Sequence, residues 1–171
     1  GGMGAVYRCR HRKNSRLVVA VKILIDDADS DIIRRFVREA GALAALDHPR
    51  IARMLGFEAY GDPGYVVMEY IEGTPMSESV EAGGLEAAKA VRLGIEVMEA
   101  LQHMHAVGIS HRDVKPHNVV EDIRGHACLV DFGLALMEGA DRITKTGWIA
   151  GSGAYLPPEA LDQRDPDFKA W

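Results

Sequence analysis

The residues best suited to chemistry are gathered in two short runs of the chain. The first, at positions 111–118, contains Asp113, Lys115 and Asn118, and the second begins at Asp131. Carboxylate and amide oxygens are the ligands that Mg²⁺ prefers, and a further carboxylate is available as a base. A lysine ammonium neutralises charge on a phosphoryl group. Together these groups are most of the equipment needed to move a γ-phosphoryl group.

Each of these side chains also has an ordinary explanation, because Asp and Asn are common in loops for turn reasons. That explanation has to account for all four residues at once. Histidines are also frequent, but His103, His105, His117 and His126 lack the spacing and the partners of a zinc site.

Composition and charge restrict the class of protein. The chain has 171 residues and 47% hydrophobic content, so it is long enough for a substantial core and its composition is that of a folded protein. A net charge of -5 with scattered basic residues gives no reason to expect a nucleic-acid surface. Cys9 and Cys128 lie in apolar stretches, so we expect a reducing compartment, the cytoplasm, and no disulfide.

No membrane segment is expected within this chain, and any membrane anchor is expected outside it, in a longer parent protein. The most apolar helical stretch, at positions 85–107, carries several charged residues, which a bilayer span would not tolerate. The N-terminus lacks the pattern of a signal peptide.

Hydrophobic periodicity predicts a small sheet with one helix in the first part of the chain. Residues 5–10 and 17–24 predict a hairpin around a turn at 13–15. A helix that begins at Asp29 or Ser30 is expected to end before Pro49. Two more strands are predicted, and they lie at positions 51–60 and 65–70.

The second part of the chain is predicted to be mainly helical. A short segment near 76–82 precedes a long helix at 85–107, whose predicted apolar face includes Val91, Ile95 and Met98. The boundary between the two parts falls at Glu72-Gly73, which gives units at 1–72 and 73–171.

The ordered motifs resemble the catalytic domain of protein kinases, and are most similar to bacterial-type Ser/Thr kinases. The motifs are a Gly-Gly-Met-Gly run, the strand ending Val-Ala-Val-Lys22, the run containing Asp113, and Asp131-Phe-Gly. The resemblance implies an α+β, bilobal fold with a small antiparallel sheet and one helix, followed by a mainly helical lobe. It covers essentially the entire chain, and we expect a fragment truncated at both ends that lacks the first strand of the small lobe.

The resemblance implies an ATP site between the lobes. Lys22 would contact the α- and β-phosphates and pair with Glu39, and Met68 would lie at the back of the nucleotide pocket. The ordinary alternatives are a solvated strand lysine, a surface helical ion pair and core packing, respectively. The implied ATP-binding residues are Gly1, Gly2, Gly4, Val6, Ala20, Lys22, Glu39, Met68, Glu69, Ile71, Val120 and Asp131.

The resemblance also assigns the chemistry. Asp113 would orient or accept the proton of the attacking hydroxyl, and Lys115 would neutralise the transferring phosphoryl group. Asn118, the third catalytic residue, would hold Mg²⁺ together with Asp131. The Asp-Val-Lys-Pro run is typical of Ser/Thr rather than Tyr kinases. By the same resemblance, His111 is expected to be a packing residue that shares one stack with Phe132 and Leu43, and not the base.

Residues 131–159 resemble an activation segment. Ser152, Gly153 and Pro157 depart from the usual family pattern, which affects substrate preference more than catalysis. Arg112 precedes the catalytic aspartate, and this arrangement usually marks kinases that are switched by phosphorylation. Thr144 and Thr146 are the candidate phosphorylation sites, and ordinary loop threonines are an equal alternative.

The predicted function is ATP- and Mg²⁺-dependent phosphorylation of Ser or Thr in a protein substrate, with self-phosphorylation as a further expectation. We expect the fragment alone to be poorly stable and nearly inactive. Two other classes remain open, which are a pseudokinase scaffold and a small-molecule phosphotransferase of the kinase-like superfamily. A P-loop NTPase is excluded, because the chain has no Gly-x-x-x-x-Gly-Lys-Ser/Thr run.

Overall fold

The computed structural model describes residues 5–23, 37, 40–41, 43–111, 113–131 and 155. Several predicted positions lie outside the described residues, namely Gly1, Gly2, Gly4, Glu39, Arg112, Phe132, Thr144, Thr146, Ser152, Gly153 and Pro157.

The first part of the chain forms a four-stranded antiparallel sheet in the order β1-β2-β4-β3. Its strands are β1 (Val6–His11), β2 (Asn14–Ile23), β3 (Met54–Glu58) and β4 (Tyr65–Glu69). The described residues at 37, 40–41 and 43–44 are helical and precede β3. The predicted sheet with its helix is therefore confirmed for the residues that are described.

The turn of the β1–β2 hairpin lies earlier than predicted. His11 folds back over it, and its Nδ1 accepts hydrogen bonds from the backbone N–H groups of Lys13 and Asn14, at 3.3 and 3.2 Å. Because this side chain satisfies two turn donors, the chain reverses at Arg12 and Lys13, and β2 begins at Asn14 instead of Leu17.

β3 is shorter than the predicted strand at 51–60, because its first residues pair elsewhere. Ile51 forms an isolated parallel bridge with Leu129, and the backbone N–H of Ala52 donates to the carbonyl of Leu129 at 2.9 Å. The segment before β3 thus joins the four-stranded sheet to the second part of the chain.

The second part of the chain contains a separate, three-stranded sheet that the sequence did not predict. It has the order β5-β6-β7 and consists of β5 (Gly73–Pro75), β6 (Val119–Asp122) and β7 (Ala127–Leu129). A 3₁₀ helix (Pro116–Asn118) leads directly into β6. Gly73 permits close pairing, because a Cβ at this position would overlap the backbone of Glu121 and Asp122 in β6.

Two helices accompany this sheet, α1 (Met76–Glu81) and α2 (Ala87–Ala106). The predicted long helix is confirmed, but its buried face is different: Leu93, Ala100 and Met104 are buried, while Val91, Ile95 and Met98 are exposed. A helix that is apolar on more than one side does not reveal from its pattern which side is covered. Among the described helices, none combines the length and the apolarity needed to cross a membrane.

One hydrophobic core joins the two parts of the chain. It includes Leu43, Val66 and Met68 from the first part and Leu93 and Leu129 from the second. Leu93, Leu129 and Val66 are fully buried. Since burying one such side chain contributes about 1.5–3 kcal/mol, this shared core fixes the two sheets relative to each other.

Candidate active site

Lys22 and Asp131 bring the two sheets together in an ion pair. Lys22 lies on β2 and is buried, and its Nζ is 2.8 Å from Oδ1 and 3.0 Å from Oδ2 of Asp131. Asp131 follows β7 and has a φ of 58°, an uncommon value for any residue other than glycine. Such a backbone conformation costs of order 1–3 kcal/mol and is concentrated at functional sites. The two residues that the sequence predicted for phosphate and metal binding are therefore in direct contact.

The face of the four-stranded sheet that carries Lys22 also carries other residues predicted to bind the nucleotide. Lys22 lies opposite Val6 on β1, and Ala20 lies opposite Met68 on β4. Directly opposite residues of an antiparallel sheet point to the same face, and residues two apart on one strand do so as well. The register therefore places Val6, Ala20, Lys22 and Met68 on one face.

The remaining predicted nucleotide residues lie on or near the segment between the two sheets. Glu69 ends β4, and its N–H donates to the carbonyl of Arg53 at 2.8 Å. Ile71 is half-buried and packs against the core, and Val120 is buried in β6. Tyr70, in the same segment, lies under the guanidinium of Arg8 at 5.0 Å, a cation–π contact that the sequence did not reveal.

Asp113, Lys115 and Asn118 meet at one carboxylate oxygen. Oδ2 of Asp113 lies 2.8 Å from Nζ of Lys115 and accepts a hydrogen bond of 2.8 Å from Nδ2 of Asn118. The same amide nitrogen donates to the Asp113 carbonyl, also at 2.8 Å. Bonds to a charged group are roughly twice as strong as neutral ones, so the three side chains hold each other in place. All three predicted catalytic residues are thus brought together.

His111 supports this cluster through hydrogen bonds to the backbone on both sides of its ring. It is fully buried, its Nδ1 accepts the N–H of Asp113 at 3.3 Å, and its Nε2 lies 3.3 Å from the carbonyl of Val130. This pattern requires the proton on Nε2, so the ring is neutral and donates to Val130. Burial lowers the pKa of His111, which favours the same neutral form. His111 is buried, as expected of a packing residue, but the sequence does not predict its two hydrogen bonds.

Val130 connects the cluster to Asp131. Its carbonyl receives the His111 contact, and its N–H donates to the Asn118 carbonyl at 2.9 Å. Because Asp131 is the next residue, these two hydrogen bonds fix the position of Asp131 relative to the Asp113 cluster.

The donor atoms available at this site suit Mg²⁺. In the part of the chain that the structure describes, no three His, Cys, Asp or Glu side chains form a ready metal cluster. Asn118 donates to Asp113 through its amide nitrogen, which leaves its amide oxygen as a donor atom for a metal. The Asp131 carboxylate supplies further oxygens. Mg²⁺ is usually bound by one or two carboxylates together with substrate phosphates and water, and this oxygen set fits that pattern.

Lys22 from one sheet, Asp131 after the other, and the loop cluster of Asp113 with its lysine and asparagine are arranged as the resemblance to protein kinases implies. The family model described as the protein kinase domain matches residues 1–170. The chain belongs to the protein kinase family.

Similar proteins are bacterial Ser/Thr kinases. The chain is 39% identical over 99% of its length to the probable serine/threonine-protein kinase CPE1738 of Clostridium perfringens, and 40% identical over 93% to PrkC of Bacillus subtilis. It spans only 25% of the length of each of these relatives.

A solved structure shows the same fold. A crystal structure of Rad53 1-466 in complex with AMP-PNP is similar with a TM-score of 0.73 and 31% sequence identity, covering 95% of this chain and 40% of that one.

Proposed function

We propose that the chain carries the ATP-binding and catalytic residues of a Ser/Thr protein kinase, which transfers the γ-phosphoryl group of ATP to a hydroxyl of a protein substrate. The observation that carries this proposal is the cluster of Asp113, Lys115 and Asn118 on one carboxylate oxygen, tied through Val130 to Asp131. The bacterial relatives support the Ser/Thr class by their names.

In this proposal each side chain keeps a separate task. Asp113 orients the substrate hydroxyl and receives its proton, and Lys115 neutralises charge that develops on the transferring group. Lys22 binds the α- and β-phosphates. Asn118 and Asp131 would hold Mg²⁺, which neutralises the phosphate charges when it is bound.

Nucleotide binding requires Lys22 to exchange partners. Its ammonium now bonds both oxygens of Asp131, and those oxygens are the proposed metal ligands. A phosphate oxygen would take the place of Asp131 at Lys22, and the freed Asp131 carboxylate would be available to hold Mg²⁺, so the charges at both positions would stay paired. The partner exchange is therefore less costly than breaking the pair outright.

We further propose the residue assignments and the division of the chain that the sequence suggested. The adenine would lie against Val6, Ala20, Met68, Glu69, Ile71 and Val120, and the two lobes would be 1–72 and 73–171. Glycines 1, 2 and 4, Glu39, and the phosphorylation sites Thr144 and Thr146 belong to the proposal on the family pattern alone. Self-phosphorylation belongs to it on the same ground. Two free cysteines, Cys9 and Cys128, support a reducing compartment, for which we propose the cytoplasm.

The test is label transfer from γ-labelled ATP to a protein substrate, followed by phosphoamino-acid analysis. Because the 171-residue chain alone is expected to be nearly inactive, the assay uses a longer protein that contains it. Phosphoserine or phosphothreonine is expected from that protein, and Asp113→Asn should abolish it. Asp47→Asn is the matched control, because Asp47 is an exposed aspartate. Unchanged transfer by Asp113→Asn would contradict the proposal, and nucleotide binding without any transfer would favour the pseudokinase class.

A further inference from the structure

Glu96 lies where α2 meets the hairpin of β6 and β7. Only 12% of its side chain is exposed. Oε2 accepts a hydrogen bond of 2.7 Å from the backbone N–H of Ala127, and Oε1 lies 2.8 Å from Nδ1 of His126. A carboxylate on a helix therefore binds the first backbone donor of β7 directly.

Charge around Glu96 keeps the carboxylate ionised. Arg92, one turn earlier on α2, and Arg50, from the segment before β3, lie 3.6 and 3.7 Å from Oε1. Burial alone would raise the pKa of Glu96, but the hydrogen bonds from His126 and Ala127 and the charge of Arg50 hold it below its ordinary value. The group is thus a permanent acceptor for both bonds.

β7 runs from this contact straight to the candidate active site. Ala127 is its first residue, and Leu129, its last, exchanges backbone bonds with the segment before β3: its N–H donates to the Arg50 carbonyl at 2.8 Å and its carbonyl accepts from Ala52 at 2.9 Å. Asp131 follows shortly after Leu129. Glu96 contacts both segments that pair here, β7 through the hydrogen bond to Ala127 and the segment before β3 through its ion pair with Arg50.

We propose that Glu96 is a positioning residue for the nucleotide site, which fixes the start of β7 and thereby holds Asp131 within reach of Lys22 and of the metal. The inference rests on the proposed function for the role of Asp131. Glu96 touches no substrate in this role and acts through the strand. The reach of its carboxylate, and not its charge alone, is the property that matters.

Two substitutions separate reach from charge. Glu96→Gln keeps the length: its amide oxygen can accept from Ala127, and its amide nitrogen can donate to a neutral His126 ring. Glu96→Asp keeps the charge but is one methylene shorter, so it cannot maintain both contacts. Glu99 is an exposed glutamate on the same helix, and Glu99→Gln and Glu99→Asp are the matched controls.

The experiment measures the Mg²⁺ concentration that gives half-maximal binding of AMP-PNP, together with hydrogen exchange of the β7 amides without nucleotide. Glu96→Asp should raise that Mg²⁺ concentration about tenfold, the size seen when groups behind metal ligands are altered, and should speed exchange at Ala127. Glu96→Gln and both Glu99 variants should stay within about twofold of wild type by comparison with that effect.

Equal Mg²⁺ dependence of Glu96→Asp and Glu99→Asp would overturn the proposal, as would a loss in Glu96→Gln as large as that in Glu96→Asp. If Glu96→Asp does not fold, His126→Ala replaces it, since it removes one partner that orients the carboxylate. An unchanged Mg²⁺ dependence in that variant would also overturn the role. Failure of the wild-type protein to bind AMP-PNP at all would instead count against the proposed function, and the exchange at Ala127 and Asp131 would then decide the positioning role by itself.

Discussion

The pair of Lys22 and Asp131 should be a measurable source of stability before any nucleotide binds. The perturbation is a double-mutant cycle of Lys22→Met, Asp131→Asn and the double variant. Each single variant removes one charge and leaves the other without its partner, whereas the double variant removes both. The coupling between the two positions is therefore the quantity to measure.

The structure sets the size of that coupling. Both carboxylate oxygens lie within hydrogen-bond distance of Nζ, at 2.8 and 3.0 Å, and the side chains are 8% and 25% exposed. Breaking a fully buried pair costs about 3–5 kcal/mol, while exposed pairs are worth about 0–1 kcal/mol. Because Lys22 is buried and Asp131 is partly exposed, we expect a coupling of about 2 kcal/mol, between these limits.

The assay is urea unfolding of the four nucleotide-free proteins at one pH and one ionic strength. A matched cycle on Lys89 and Glu121 is the control. The Lys89 Nζ lies 2.8 Å from Oε1 of Glu121, but the Lys89 side chain is 37% exposed, so the coupling energy should be less than about 1 kcal/mol. A Lys22–Asp131 coupling no larger than that of the control pair would contradict this expectation, because the contact would then contribute no more than a surface ion pair.

Two further predictions follow from the supporting residues. Burial lowers the pKa of His111, so the unfolded chain binds the proton more readily than the folded chain does. The free energy of unfolding should therefore decrease as the pH falls below about 6.5, by up to about 1.4 kcal/mol per pH unit. Urea unfolding at pH 5 to 8 should show this slope reduced in His111→Phe, and an identical slope would contradict the assignment. Gly73→Ala should cost about 1–3 kcal/mol, because its Cβ meets the backbone of β6, whereas Gly56→Ala, with open space around it, should stay within about 0.5 kcal/mol. Equal thermal stabilities of these two variants would show that β5 does not pair closely with β6.

The parts of the fold that the sequence predicted are those with long or repeated local patterns. The β1–β2 hairpin and α2 were found because alternating or helical spacing persists over many residues. β5 and β7 have three residues each, which is too short for a periodic signal. Their pairing depends on contacts between residues far apart in sequence, so only the folded chain shows them.

The candidate site was predicted in a similarly uneven way. Asp113, Lys115 and Asn118 could be grouped because they lie in one motif, and Lys22 with Asp131 because the motif order resembles kinases. Glu96 gave no such signal: on an amphipathic helix beside Arg92 it has the appearance of a surface ion pair. Its burial against β7 arises from tertiary packing. The apolar face of α2 was misjudged for the same reason.

Lys22, Asn118 and Asp131 are proposed to form a nucleotide site that works with Mg²⁺. The most direct measurement is calorimetric titration of the protein with AMP-PNP, with and without Mg²⁺, for wild type, Asp131→Asn and the control Asp47→Asn. We expect Mg²⁺-dependent binding to wild type and Asp47→Asn, weakened at least about tenfold in Asp131→Asn. Binding that is indifferent to Mg²⁺, or unaffected by Asp131→Asn, would contradict the proposed nucleotide site.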